Sequence, residues 1–146
     1  MRFFLAGIMQ GSHLAPRLHN QDYRGRIRQL LEQSFPGAEI YDPRADHVNS
    51  ITYDDPTGRN VFFHHNRMCR DVDVLVAFVP EASMGTAIEM WEAHRHGRVV
   101  ITISPMEQNW AVRFLSHAIF HDLEEFELAV RNGALRQRID EVLGAA

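Results

Sequence analysis

Asp71 to Glu92 reads DVDVLVAFVPEASMGTAIEMWE, and the rest of the chain is organised around it. Val74 to Val79 is a short apolar run rich in β-branched residues, the pattern of a strand buried on both faces. Pro80 stops it, because proline cannot donate to a ladder. Ser83, Met84, Gly85 and Thr86 turn the chain, and Ala87 to His96 has helical spacing. Ser83 or Thr86 suits the N-cap, since either hydroxyl can accept from an orphan N–H. Gly85 lets a ligand approach the backbone closely. Glu89 is then expected in the first turn of a helix leaving the carboxyl end of a strand, the edge where open α/β sheets bind ligands. An acidic side chain there also suits the helix dipole without any chemistry.

Working outward, Phe3 to Ala6 reads as a first buried strand, followed by a glycine-containing loop from Gly7 to Ser12. Gln21 to Phe35 is amphipathic, with Tyr23, Ile27, Leu30 and Leu31 on one face. Pro36-Gly37 ends that helix, and Glu39 to Tyr41 is a short second strand. Ala45 to Arg59 is the longest polar, turn-rich stretch, and Asn60 to Cys69 reads as the second helix. Beyond the Glu89 helix, Gly97 is placed to cap its end, Val99 to Ser104 is a fourth strand, Trp110 to His117 a short helix, and Ala118 to Phe120 an edge strand. Leu123 to Leu143 reads as helix with a break at Asn132-Gly133. Strands alternating with helices predict a single α/β domain over residues 1–146, flavodoxin-like. Its five-stranded parallel sheet is expected in the order 2-1-3-4-5 with helices on both faces. In that order the Gly7–Ser12 loop lies beside the Ser83–Glu89 turn, and the two form one crevice.

The 146 residues carry a net charge of −4, with 45% hydrophobic and 23% charged residues. That balance gives no support for a nucleic-acid face, whose footprint is basic. No apolar run approaches the ~20 residues of a membrane helix. The single cysteine, Cys69, excludes an internal disulfide and fits a reducing, cytoplasmic compartment. Nine histidines invite a metal reading, with His65 and Cys69, and His117 and His121, four apart. No HExxH or CxxC is present, and no metal site is expected.

The run Glu-Ala-Ser-Met-Gly-Thr-Ala-Ile-Glu-Met-Trp-Glu-Ala, residues 81–93, resembles the signature of the nucleoside 2-deoxyribosyltransferases and the related 2'-deoxynucleoside 5'-phosphate N-hydrolases. The resemblance runs from Phe3 to about Phe120, and this segment is its diagnostic part. It implies the same flavodoxin-like fold and N-glycosidic cleavage or deoxyribosyl transfer on a nucleoside or its 5'-monophosphate, with no cofactor. It also implies that Glu89 is the nucleophile on the anomeric carbon. Such chemistry passes through an oxocarbenium-like state, with a second group protonating the departing base.

The second group is where this sequence departs from the family. The transferases carry an Asp eight residues before the Asp that opens the central strand, and counting back from Asp73 lands on His65. A charged His65 could donate a proton; a neutral one could only hydrogen-bond. The other acids at strand ends are Asp42, just past the second strand, and Glu81, past the third; Asp42 is preferred because the second strand borders the first, and it also reads as a plain Asp-Pro turn. Ser83 matches the phosphate-preferring hydrolases, where transferases usually have Asp. Met9 stands where the hydrolases carry a phosphate-gripping Arg, and Phe3 where they have Tyr. Arg17 and Arg44 are the candidates to compensate. Asn109 is the nearest match to a residue that completes a neighbouring subunit's pocket in the transferases, and reads equally as a helix N-cap. The resemblance therefore implies a homo-oligomer, and Trp91, Trp110, Phe114 and Phe120 supply apolar area for one. Two other readings stand beside it: a non-catalytic nucleotide-binding module and an NAD glycohydrolase-like enzyme.

Overall fold

The computed structural model describes residues 1–14 and 17–144. Five strands form one parallel sheet in the order β2-β1-β3-β4-β5: β1 Arg2–Gly7, β2 Glu39–Tyr41, β3 Val74–Phe78, β4 Val99–Ile103 and β5 Ala118–Phe120. This is the predicted flavodoxin-like order, with β1 against β3 in the register Phe3↔Val74 to Gly7↔Phe78.

Strand alternation sends successive side chains to opposite faces, and two separate cores result. On one face Phe3, Leu5, Val74, Val76, Val99 and Ile101 pack against α1 (Asp22–Ser34), α6 (Leu123–Arg131) and α7 (Ala134–Gly144). On the other, Phe4, Ala6, Leu75, Ala77 and Val100 meet Met90 and Ala93 of α4 (Met84–Arg95), and Cys69. The two helices α6 and α7 are separated at Asn132 and Gly133, as the sequence predicts.

Several boundaries differ from the sequence reading. The polar stretch after β2 holds more helix than predicted: α2 spans Pro43–Asp46, a 3-10 turn spans Ser50–Thr52, and α3 runs from Asp55 to Met68 rather than from Asn60. The Asp54 side chain accepts from the Thr57 N–H, and proline is compatible with a first helical turn, so the turn-like Asp-Asp-Pro-Thr-Gly is a helix start. Likewise α4 begins at Met84, because the Ser83 hydroxyl accepts from the Thr86 N–H at 3.4 Å. Glu89 therefore stands in the second turn of α4, where the helix-dipole contribution has already fallen off. The short helix α5 covers Trp110–Leu115.

Candidate functional site

A cavity of about 370 Å³ opens at the carboxyl ends of β1 and β3. One wall is the start of α4, with Ser83, Met84, Gly85, Thr86 and Glu89. The loop after β1 contributes Gly7, Met9, Gln10 and Gly11. The opposite wall comes from the segment after β2 and from α3, with Pro43, His47, Ser50, Ile51, Tyr53, Phe62 and His65. Six residues singled out in the sequence meet here: Gly7, Met9, His65, Ser83, Gly85 and Glu89.

Glu89 is the only carboxylate among the lining residues. Burial pushes its carboxyl up to about 7, and the Arg24 guanidinium pulls the other way. This replaces the expectation of an anion held by the helix terminus: desolvation dominates, since taking a carboxylate out of water disfavours its charged form. The side chain keeps partial contact with solvent.

Arg24 is the residue the periodicity reading passed over. It shares the buried face of α1 with Ile27 and Leu31, three and seven positions on, and only 4% of it is exposed. Its guanidinium donates to the carbonyls of Leu5 and Gly7 at 3.0 and 3.1 Å, to Gln21, and to Asp42 Oδ1 at 2.9 Å. A lone arginine inside an apolar helical stripe was the available signal, since buried charges are paired. Next to it Tyr23 donates its hydroxyl to the Ile8 carbonyl at 3.0 Å. A Cβ on Gly7 would lie 2.5 Å from that hydroxyl, so glycine is required there by Tyr23.

Asp42 is not among the residues lining the cavity. It is buried, accepts from Arg24, and caps α2 through the Arg44 N–H at 3.0 Å. His65 lines the cavity with its Nε2 set 3.2 Å from the Tyr41 hydroxyl. Burial lowers its pKa to about 4, with His47 and His64 adding to the effect, so His65 is neutral at neutral pH rather than the charged donor considered from sequence. Its Nδ1 and Nε2 can then share at most one proton. Ser83 spends its hydroxyl on the cap and on Thr86 Oγ1 at 2.8 Å. Asn109 is exposed, caps α5 by accepting from Ala111 and Val112, and borders a separate groove beside Met84 and Met106. Of the two arginines named to replace Met9, Arg17 is exposed and Arg44 donates to the Val48 carbonyl. All 15 cationic residues of the chain are arginines, and none lines the cavity.

His47 and Tyr53 are two further cavity residues from the stretch the sequence reads as a loop. Their Nδ1 and hydroxyl are 3.1 Å apart, and the His47 ring centre is 5.1 Å from that of His65. Among the described residues no group of three or more His, Cys, Asp or Glu is placed to hold a metal ion. No described helix is long and apolar enough to cross a membrane.

Solved structures match this fold over nearly the whole chain. A 2-deoxyribosyltransferase from Bacillus psychrosaccharolyticus aligns with a TM-score of 0.65 at 18% identity, covering 87% of this chain and 90% of its own. BlsM aligns at 0.65 and 19%, covering 97% and 93%. A CMP N-glycosidase from Clostridium botulinum aligns at 0.53 and 20%, covering 90% and 98%. The chain shares their fold. No protein-family model matches the sequence, and no curated protein does.

Proposed function

We propose that the protein cleaves or transfers the N-glycosidic bond of a nucleoside, with Glu89 as nucleophile. The observation that carries this is one half-buried carboxylate, Glu89, in the wall of a nucleoside-sized cavity at the switch point of the sheet. The fold shared with a 2-deoxyribosyltransferase and a CMP N-glycosidase supports it. Ionised Glu89 attacks the anomeric carbon as the bond to the base breaks, giving a glycosyl ester and the free base. Water or an acceptor base then takes the sugar and frees the carboxylate. Because Glu89 must be ionised, turnover in the free enzyme rises with pH through about 7.

The cavity wall carries no arginine, and Glu89 would repel a nearby phosphate, so a neutral nucleoside suits it better than its 5'-monophosphate. The same absence weighs against the pyrophosphate of NAD. A second copy of the chain is the proposed partner. Trp91, Trp110 and Phe114 are 54%, 75% and 57% exposed on the adjoining helices α4 and α5, whereas Phe120 packs on Phe126 of the core. Sedimentation at micromolar concentration should give a dimer or larger; a monomer would remove this part.

The test of the function is base release from paired nucleosides and 5'-monophosphates, read by chromatography, for wild type and Glu89→Gln. Turnover of nucleosides by wild type and its loss by about 10³-fold or more in the variant is expected. Equal rates in both proteins would overturn Glu89 as nucleophile, and silence of both would favour a non-catalytic binding module.

A further inference from the structure

The wall facing α4 has to do something with the base that leaves. A purine or pyrimidine anion is a poor leaving group, and a positioned proton donor lowers that barrier. Glu89 is committed to the sugar carbon. Asp42 is held by Arg24 and by the Arg44 N–H outside the cavity. His65 is neutral and has one ring nitrogen on the Tyr41 hydroxyl. His47 and Tyr53 are the remaining titratable side chains in the wall, and both are half-buried.

Building on the nucleoside-cleaving reading of the site, we propose that His47, held by the Tyr53 hydroxyl, delivers the proton to the departing base. The hydrogen bond at Nδ1 fixes the ring and leaves Nε2 as the free nitrogen. In the charged imidazole both nitrogens carry protons: Nδ1–H donates to the Tyr53 oxygen, and the Nε2 proton remains to be given. As the sugar–base bond breaks, its electron pair stays on the base nitrogen system. The Nε2 proton transfers there, and His47 is left neutral. The water or acceptor that attacks in the second half-reaction returns a proton to Nε2, so the cycle closes without any other reactant. The groups around His47 are Tyr53 on its own segment, His65 from α3, whose ring meets it at 5.1 Å, and Asp46 of α2. Asp46 also acts on His65 and on Tyr41 of β2, while His64 acts on His65. Tyr53 is a positioning residue in this arrangement, since it acts through His47.

The test compares two leaving groups on the same sugar: a natural purine or pyrimidine, and nitrophenolate, which leaves without a proton. Wild type, His47→Gln and Tyr53→Phe are assayed across pH, with melting curves to establish that each variant is folded. His47→Gln should lose roughly 10²–10⁴-fold on the natural nucleoside, the range of general acid catalysis, and less than tenfold on the nitrophenyl glycoside. Tyr53→Phe should show the same leaving-group dependence with a smaller loss, about tenfold. Equal losses on both substrates, or no loss on either, would overturn the role of His47 while leaving the nucleophile in place. Absence of wild-type turnover on either substrate would instead overturn the function on which this rests.

Discussion

The two walls of the cavity are built by different means. On the α4 side, a strand end, a capped helix and one carboxylate follow each other within the 22-residue stretch from Asp71 to Glu92. On the other side His47 is held by Tyr53 and His65 by Tyr41, while the Asp42–Arg24 pair lies outside the cavity. The first wall is set by backbone geometry and presents one carboxylate. The second is set by hydrogen bonds between side chains and carries His47, Tyr53 and His65. Arg24 joins them: it holds Asp42 beneath the second wall and its charge opposes the rise in the Glu89 pKa.

Breaking that joint should give the largest change in stability. Arg24→Met leaves the Asp42 carboxylate buried without its ion partner and removes donors from the Leu5 and Gly7 carbonyls. A loss of about 3–5 kcal/mol is expected from denaturant unfolding, and adding Asp42→Asn should recover part of it. A loss below about 1 kcal/mol, or no recovery, would mean the walls are held independently.

A smaller effect sharpens the contrast on the α4 side. Glu89 has a folded pKa of about 7, above the ordinary carboxylate value. Below about pH 4 both folded and unfolded chains bind the proton, and Glu89 contributes no pH dependence. Between that point and about pH 7 only the unfolded chain releases it, so stability falls as pH rises, and the cost is constant above. Glu89→Gln should therefore stabilise the protein by roughly 1–3 kcal/mol at pH 8 and leave it unchanged at pH 4. Comparing melting curves at the two pH values checks this; destabilisation at pH 8 would mean the carboxylate is held by favourable contacts instead of being penalised by burial.

The contrast also explains what could be read in advance. Strand order, both faces of the sheet and a hydroxyl cap at Ser83 or Thr86 follow from periodicity and local turn chemistry, and all are contained in short stretches of sequence; the structure selects Ser83. The start of α3 was missed because Asp54, Pro56 and Gly58 are turn residues everywhere except in a capped first turn. The second wall was not legible because its chemistry lies in pairs far apart in the chain. Asp42 and Arg24 are 18 residues apart, and Tyr41 and His65 are 24 apart. Spacing cannot show that one partner consumes the other, which is why Asp42 and a charged His65 both looked available. Gly7 carries a similar lesson: a side chain there would meet the Tyr23 ring, a partner on another element.

The central claim is a covalent bond between Glu89 and the sugar. A nucleoside bearing fluorine at the 2' position of the sugar slows release of such an ester, so the intermediate accumulates. Intact-mass spectrometry after incubation should show one added glycosyl group, and peptide mapping should place it on Glu89. Turnover of ordinary nucleosides without any adduct, or an adduct on another residue, would contradict it.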